Sequence, residues 1–149
     1  TNTMFMAAPW ADALYAIDAP WWKHYGKQVA AEFRGEKFSA RHRGFGCRVA
    51  TSQHFENSGT AALSLAAHFG ARRVLMLGYD CQFTGGKSHS HGDHPPTLGN
   101  AKSLPKWPEN FGRCAVHLAR LGVEVINCTR ETALECFPRG DLEEWLCKD

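Results

Sequence analysis

Residues 87–96 read KSHSHGDHPP, and within them His89, His91 and His94 surround Asp93 in a stretch whose only apolar side chains are two prolines. Side chains of this type and spacing support two kinds of chemistry. Three neutral imidazoles make an open site for zinc or another divalent metal, with Asp93 orienting a ring or completing the shell. Alternatively one loop histidine, His91 or His94, acts as a general base without metal. A solvated polar loop is the third reading. The H-E-x-x-H signature of zinc hydrolases is absent from the chain, so spacing alone does not choose among the three.

A second chemical signal is Asn57-Ser58-Gly59, at the start of an alanine-rich helical pattern. The first turn of a helix presents unpaired N–H groups and the positive end of its dipole, and Gly59 would let a ligand approach the backbone. That suits a phosphate or a nucleotide ribose. Plain N-capping needs only Asn57 or Ser58 and leaves Gly59 unexplained. The stretch TGGKS at 84–88 is not a P-loop: the first glycine of that motif would fall on Cys81, and HSHGDHPP rather than a helix follows. Arg34, Lys37, Arg41, Arg43 and Arg48, with Glu32 and Glu36 nearby, read first as a solvated face and second as a phosphate or nucleic-acid contact.

These residues need elements to position them. Residues 12–18 form a short apolar run ending in Asp18, and a helix follows with Pro20 in its first turn. Residues 37–41 and 48–52 read as short strands around a Gly44/Gly46 turn. Ala61, Ala62, Leu65, Ala66 and Phe69 recur at helical spacing before a stop at Gly70, and Val74–Leu77 is then a strand buried on both faces that leaves through Gly78, Tyr79 and Asp80. Phe111, Cys114, Ala115, Leu118 and Ala119 line another helix, stopped at Gly122 and followed by a strand ending in Asn127. Asp141 and Glu144 have capping-box spacing for a short last helix. Alternating strands and helices imply an α/β fold with a parallel sheet covered on both faces. Ligands bind outside the carboxyl ends of such strands, which makes Asp18, Asp80 and Asn127 candidates for one shared site.

The bulk properties agree with an ordinary globular chain. Its 149 residues suffice for one domain with one core, and 44% hydrophobic with 21% charged residues leaves no large disordered region expected. A net charge of +2 does not by itself argue for nucleic acid, and no run reaches the ~18 apolar residues of a membrane span. Six cysteines without a C-x-x-C pair read as buried thiols in a reducing compartment, not as a disulfide framework. With no initiator methionine and no signal pattern at the start, the chain is expected to be a trimmed fragment.

The segment NSGTAALSLAAHFGARRVLMLGYD resembles a motif shared by bacterial sialyltransferases of the Rossmann-like type and by proteins related to 6-hydroxymethylpterin diphosphokinase. With PWADALYAIDAPWWKHYG and the histidine-rich loop, the chain is similar to tailed-phage and prophage proteins of that group, from Asn2 to about Leu146. The resemblance implies a single Rossmann-like three-layer domain over 1–149, mostly parallel, N-terminally truncated and lacking its first strand and glycine loop. It implies a nucleotide or sugar nucleotide across the strand ends, held by Ser58 and Gly59 with Asn57 beside them and Asn2 as a further contact. Asp80 would shape the site, and His91 or His94 would deprotonate an acceptor; Asp18, taken from its strand-end position, joins the nucleotide-binding residues. The expected activity is transfer, glycosyl ahead of diphosphoryl, in the cytoplasm of a bacterial host. The alternatives are a metal-dependent hydrolase or diphosphotransferase on His89, His91 and His94, and a non-catalytic phage accessory or binding module. Where the sialyltransferases have tyrosines past the Asp80 position, this chain has Gln82 and Ser88.

Overall fold

The structure is a computed structural model that describes residues 1–50, 52–53, 55–83, 95, 98 and 104–148. It is mixed α/β, and the chain divides into two compact units, Thr1–Leu65 and Ala66–Asp149.

In the first unit a 3-10 turn at Asn2–Met6 precedes strand β1 (Ala13–Tyr15), helix α1 (Ala19–Glu32) and strands β2 (Glu36–Ser39) and β3 (Arg48–Val49). The three strands pair in the order β1-β2-β3, all parallel, with Leu14 opposite Lys37 and Phe38 opposite Arg48. Pro20 fits the first turn of α1, where no backbone donor is needed. Trp21, Trp22, Gly26 and Val29 then recur at helical spacing and are buried. Trp22 is 0% exposed and its indole N–H donates to the Ala16 carbonyl at 2.9 Å, tying the helix back to the strand it leaves. The 3-10 turn docks on the same helix: Phe5 meets Trp21 and Tyr25 edge-on, with centroids 6.0 and 6.3 Å away.

Helix α2 (Ser58–His68) starts in this unit, and Ala61 and Leu65 pack on Tyr15 and Phe38 of the sheet, with Ile17, Ala50 and Ala62 at the margin. It ends at His68, one residue before Phe69, which is 59% exposed and not part of the apolar face read from the spacing. Gly70, at φ +88, takes up the left-handed conformation that closes the helix.

The two short strands of the middle segment exist, but they are parallel neighbours and not arms of a turn. They also end earlier than the expected 37–41 and 48–52, at Ser39 and Val49. Ser39 Oγ accepts the N–H of Arg41 at 3.2 Å and of His42 at 2.6 Å, which draws the backbone out of the ladder just past Ser39.

In the second unit strand β4 (Arg73–Met76) pairs in parallel with β5 (Glu124–Asn127), Val74 opposite Val125. Between them lies helix α3 (Trp107–Arg120), whose Phe111, Cys114 and Leu118 are buried as the spacing predicts. The last helix, α4 (Leu142–Leu146), is capped by Asp141, whose Oδ1 accepts from the N–H groups of Glu143 and Glu144. The expectation of a strand at 74–77 buried on both faces is corrected. Only Met76 is fully buried in β4, and Leu77 lies beyond it at 54% exposure. Among the described residues β4 has one strand neighbour, which leaves its other edge without a ladder. No helix among the described residues is long and apolar enough to cross a membrane.

The start of the first sheet depends on a close backbone crossing. Glu36 N–H donates to the Asp12 carbonyl at 2.8 Å, and a Cβ on Gly35 would collide with the carbonyl oxygens of Ala11 and Asp12. Gly35→Ala is therefore expected to destabilise the protein by about 1–3 kcal/mol. The check is a lower urea midpoint at unchanged slope; an unchanged midpoint would mean that the crossing yields without strain.

Candidate functional site

Because β1, β2 and β3 are parallel, the segments leaving them, Ala16–Asp18, Ala40–Arg43 and Ala50 with Ser52, emerge at one edge. A hydrogen bond ties the N-terminus of α2 to that edge: Ile17 N–H donates to Ser58 Oγ at 3.1 Å. Asp18 and Ser58, picked separately from the sequence, are thus brought within one residue of each other.

Asn57 is the N-cap. Its Oδ1 accepts from Gly59 N–H at 2.7 Å and more weakly from Thr60 N–H at 3.4 Å, while its carbonyl accepts from Thr60 Oγ1 at 2.8 Å. Ser58 sits inside the helix and is buried, its oxygen engaged by Ile17. The donor that a phosphate would use at Gly59 therefore already has a partner, and an anion there must displace the Asn57 amide. The approach to this helix is strained: Phe55 and Glu56 both have left-handed backbone, φ 41 and 59. Two consecutive non-glycine residues in that region cost on the order of 1–3 kcal/mol each. Sequence reasoning missed them, since neither residue type signals a left-handed turn.

Asp18 occupies the N-cap position of α1 with extended backbone, φ −88 and ψ 125, yet its side chain makes no capping hydrogen bond. Partial burial raises its carboxyl above the ordinary aspartate range. Tyr15 is buried with its hydroxyl unpartnered, and burial, then the neighbouring Cys47, pushes its pKa up to about 12, so it remains a neutral phenol. Asn2, at φ 48, holds a buried Oδ1 without a partner, and Trp21 Nε1, His42 Nε2 and Ser52 Oγ are in the same position. All five of these orphaned buried atoms among the described residues belong to the first unit. Native structures leave few such groups, and each calls for an account.

The other strand-end candidates lie in the second unit and behave differently. Asn127 is 0% exposed; its Oδ1 accepts from Thr129 N–H at 3.1 Å and its amide donates to Thr132 Oγ1 at 3.4 Å. The Thr129 hydroxyl accepts from Tyr79 N–H at 3.0 Å, and Thr132 Oγ1 donates to the Tyr79 carbonyl at 2.6 Å. Asp80 offers its backbone carbonyl to Ala133 N–H at 2.8 Å. Arg139 closes the network on the carbonyls of Thr129 and Arg130. Asn127 is thus a structural hub and not a residue facing a ligand, because the strand-end backbone groups need its amide. Cys81, at φ 52, has its thiol pushed up to about 12 by burial, then by Asp80 and Cys136, which keeps it protonated and unreactive.

His89, His91 and His94, together with Asp93, lie outside the described residues. Among the described residues no group of three or more His, Cys, Asp or Glu is placed to hold a metal. No family model, curated protein or solved structure significantly matches this chain.

The raised carboxyl of Asp18 gives a signed prediction. A carboxyl whose folded pKa lies above its unfolded value stabilises the fold only while protonated, so that stability is lost as pH rises through the folded pKa. At pH 7 the charged form is a burden, and Asp18→Asn should raise the melting temperature. Below the ordinary aspartate value of 3.8 the gain should vanish, because the wild-type carboxyl is then neutral in both states. Melting curves at the two pH values check this; a lower melting temperature for the variant at pH 7 would mean that the charge has a stabilising partner.

Proposed function

We propose that the first unit binds a nucleotide or sugar nucleotide across the carboxyl edge of β1, β2 and β3, and that the chain is a transferase acting on it. Glycosyl transfer is favoured over diphosphoryl transfer, within a Rossmann-like three-layer architecture of the phage type that the sequence resembles. The observation that carries this reading is the Ile17–Ser58 hydrogen bond, which sets the start of α2 beside Asp18 at the end of β1. A helix N-terminus next to a strand-end carboxylate is the arrangement that parallel sheets use for nucleotides, with the carboxylate on sugar hydroxyls.

The roles follow from chemistry. Asp18, free of any capping bond, accepts from ribose or sugar hydroxyls. The neutral Tyr15 phenol and the Asn2 amide oxygen supply a donor and an acceptor without adding charge. Asn57 either contacts the ligand through its amide or yields the Gly59 and Thr60 N–H groups to an anion. The acid–base step falls to His91 or His94 by the resemblance alone. A divalent metal at His89, His91 and His94, as in a hydrolase, and a non-catalytic accessory role remain the competing readings.

A thermal-shift panel of nucleotides and sugar nucleotides tests the proposal. A true ligand at 100 times its dissociation constant adds about 2.7 kcal/mol; no shift with any member of the panel would overturn it. Asn57→Ala then separates the two modes at α2. The variant should lose about 1 kcal/mol of stability as a removed N-cap. Calorimetry should show tighter ligand binding if the anion takes the freed N–H groups, and weaker binding if the amide itself is the contact.

A further inference from the structure

We infer that the loop leaving the carboxyl end of β2 is a binding subsite for phosphate or diphosphate groups, formed by the guanidinium groups of Arg41 and Arg43. This rests on the reading of the carboxyl edge as the ligand site, and it names the part of the ligand held there.

The fold sorts the basic residues of the middle segment into two sets. Arg34 and Lys37 lie before or at the start of β2, and the Lys37 ammonium donates to the Gly35 carbonyl at 3.2 Å. Arg48 is held by Glu36, its Nη1 lying 2.9 and 2.8 Å from the two carboxylate oxygens, and it covers the Phe38 ring at 5.8 Å. Arg41 and Arg43 come after the end of β2, on the same edge as Asp18, Ser52 and Ser58. Both are exposed, and neither is ion-paired with a carboxylate among the described residues.

Their backbone is held, and among the described residues their side chains have no ion-pair partner. Ser39, 0% exposed, accepts from Arg41 N–H and His42 N–H and donates its hydroxyl to the His42 carbonyl at 3.0 Å. Between the two arginines the His42 ring stacks on Trp22, centroids 5.7 Å apart and planes 7° apart, and on Phe45, at 5.8 Å and 22°. Trp22 belongs to the first turn of α1, which begins at the carboxyl edge. The loop is thus clamped at its centre, with one arginine before the clamped residue in sequence and one after it. Planar guanidinium forks match phosphate oxygens in pairs, and a fixed backbone lowers the entropy lost on binding. Described carboxylates at this edge are Asp18 and Glu56. Asp18 suits the sugar hydroxyls, which divides the ligand between an acidic end at β1 and a basic end at β2.

The test is titration calorimetry on the full chain with inorganic pyrophosphate and with the common ribonucleoside diphosphates. It compares wild type, Arg41→Gln/Arg43→Gln and the control Arg34→Gln/Arg48→Gln. The expected result is at least about a tenfold loss of affinity for pyrophosphate and for the diphosphates in the first double variant, with no loss in the control. The single variants Arg41→Gln and Arg43→Gln, each expected to show part of the loss, guard against a folding defect in the double. If nucleoside diphosphates bind the Arg41/Arg43 variant as they bind wild type, the arginine subsite is overturned and the nucleotide reading stands. If pyrophosphate binds through the arginines but a nucleoside adds no affinity, the subsite stands and the nucleotide reading falls. Arginine-dependent binding of a single-stranded oligonucleotide, with none of pyrophosphate, would overturn the subsite in favour of a nucleic-acid surface.

Discussion

The first unit depends on the fate of one backbone donor. The ladder between β1 and β2 ends where Ala16 N–H donates to the Phe38 carbonyl. The next donor, Ile17 N–H, is partly buried and needs a partner from elsewhere, because an unpaired buried N–H costs as much as a lost hydrogen bond. Ser58 provides it from 41 residues away. That contact fixes where α2 begins relative to the sheet, and the rest follows from helical spacing. Ala61 and Leu65, three and seven residues on, face Tyr15 and Phe38 and close the apolar cluster. A chain with a different residue at 58 could keep the same helix propensity and lose the position of the helix.

The two units treat their strand ends in opposite ways. In the second, the segment following β5 returns so that Asn127, Thr129 and Thr132 satisfy one another and the backbone of Tyr79. Such a network rigidifies because each member has its partner. In the first unit the polar atoms of Asn2, Tyr15, Trp21, His42 and Ser52 are buried without that closure. Left-handed non-glycine backbone does not distinguish the units, since it occurs at Phe55 and Glu56 in the first and at Cys81 in the second. Stability alone would favour the arrangement of the second unit at both ends, and that contrast is the reason for seeking a ligand at the first.

Much of the fold was legible because it is local. The runs of Trp21, Trp22, Val29 and of Phe111, Cys114, Leu118 have the 3.6-residue period of a half-buried helix, and the glycines at 70 and 122 mark where α2 and α3 stop. Asp18 and Asn57-Ser58-Gly59 were visible as residue types that suit strand ends and helix starts. What period and propensity do not contain is the choice of distant partners. Nothing around Asn127 distinguishes a turn residue facing solvent from a hub whose amide meets Thr129 and Thr132. Ser39 likewise cuts a strand short by a side-chain bond that competes with the ladder. Leu77 and Phe69 failed for a simpler reason: apolar runs extend past the elements they mark, and the last member of each is left exposed.

The sorting of the arginines is the step where topology adds most to composition. Five basic residues between 34 and 48 look like one solvated face in the sequence. Parallel strands break that face, because residues before a strand and residues after it stand at opposite edges of the sheet. Arg48 then finds Glu36 and the Phe38 ring and becomes part of the scaffold. Arg41 and Arg43 are left at the edge where Asp18 stands, on a loop whose centre is fixed by Ser39 and by the rings around His42. A purely solubilising pair of charges needs no fixed backbone, since hydrated side chains tolerate any loop geometry. A recognition pair gains from one, because a backbone already fixed leaves less freedom to lose when the guanidinium forks close on a ligand. The clamp on His42 is therefore the feature that separates the proposed subsite from an ordinary basic surface.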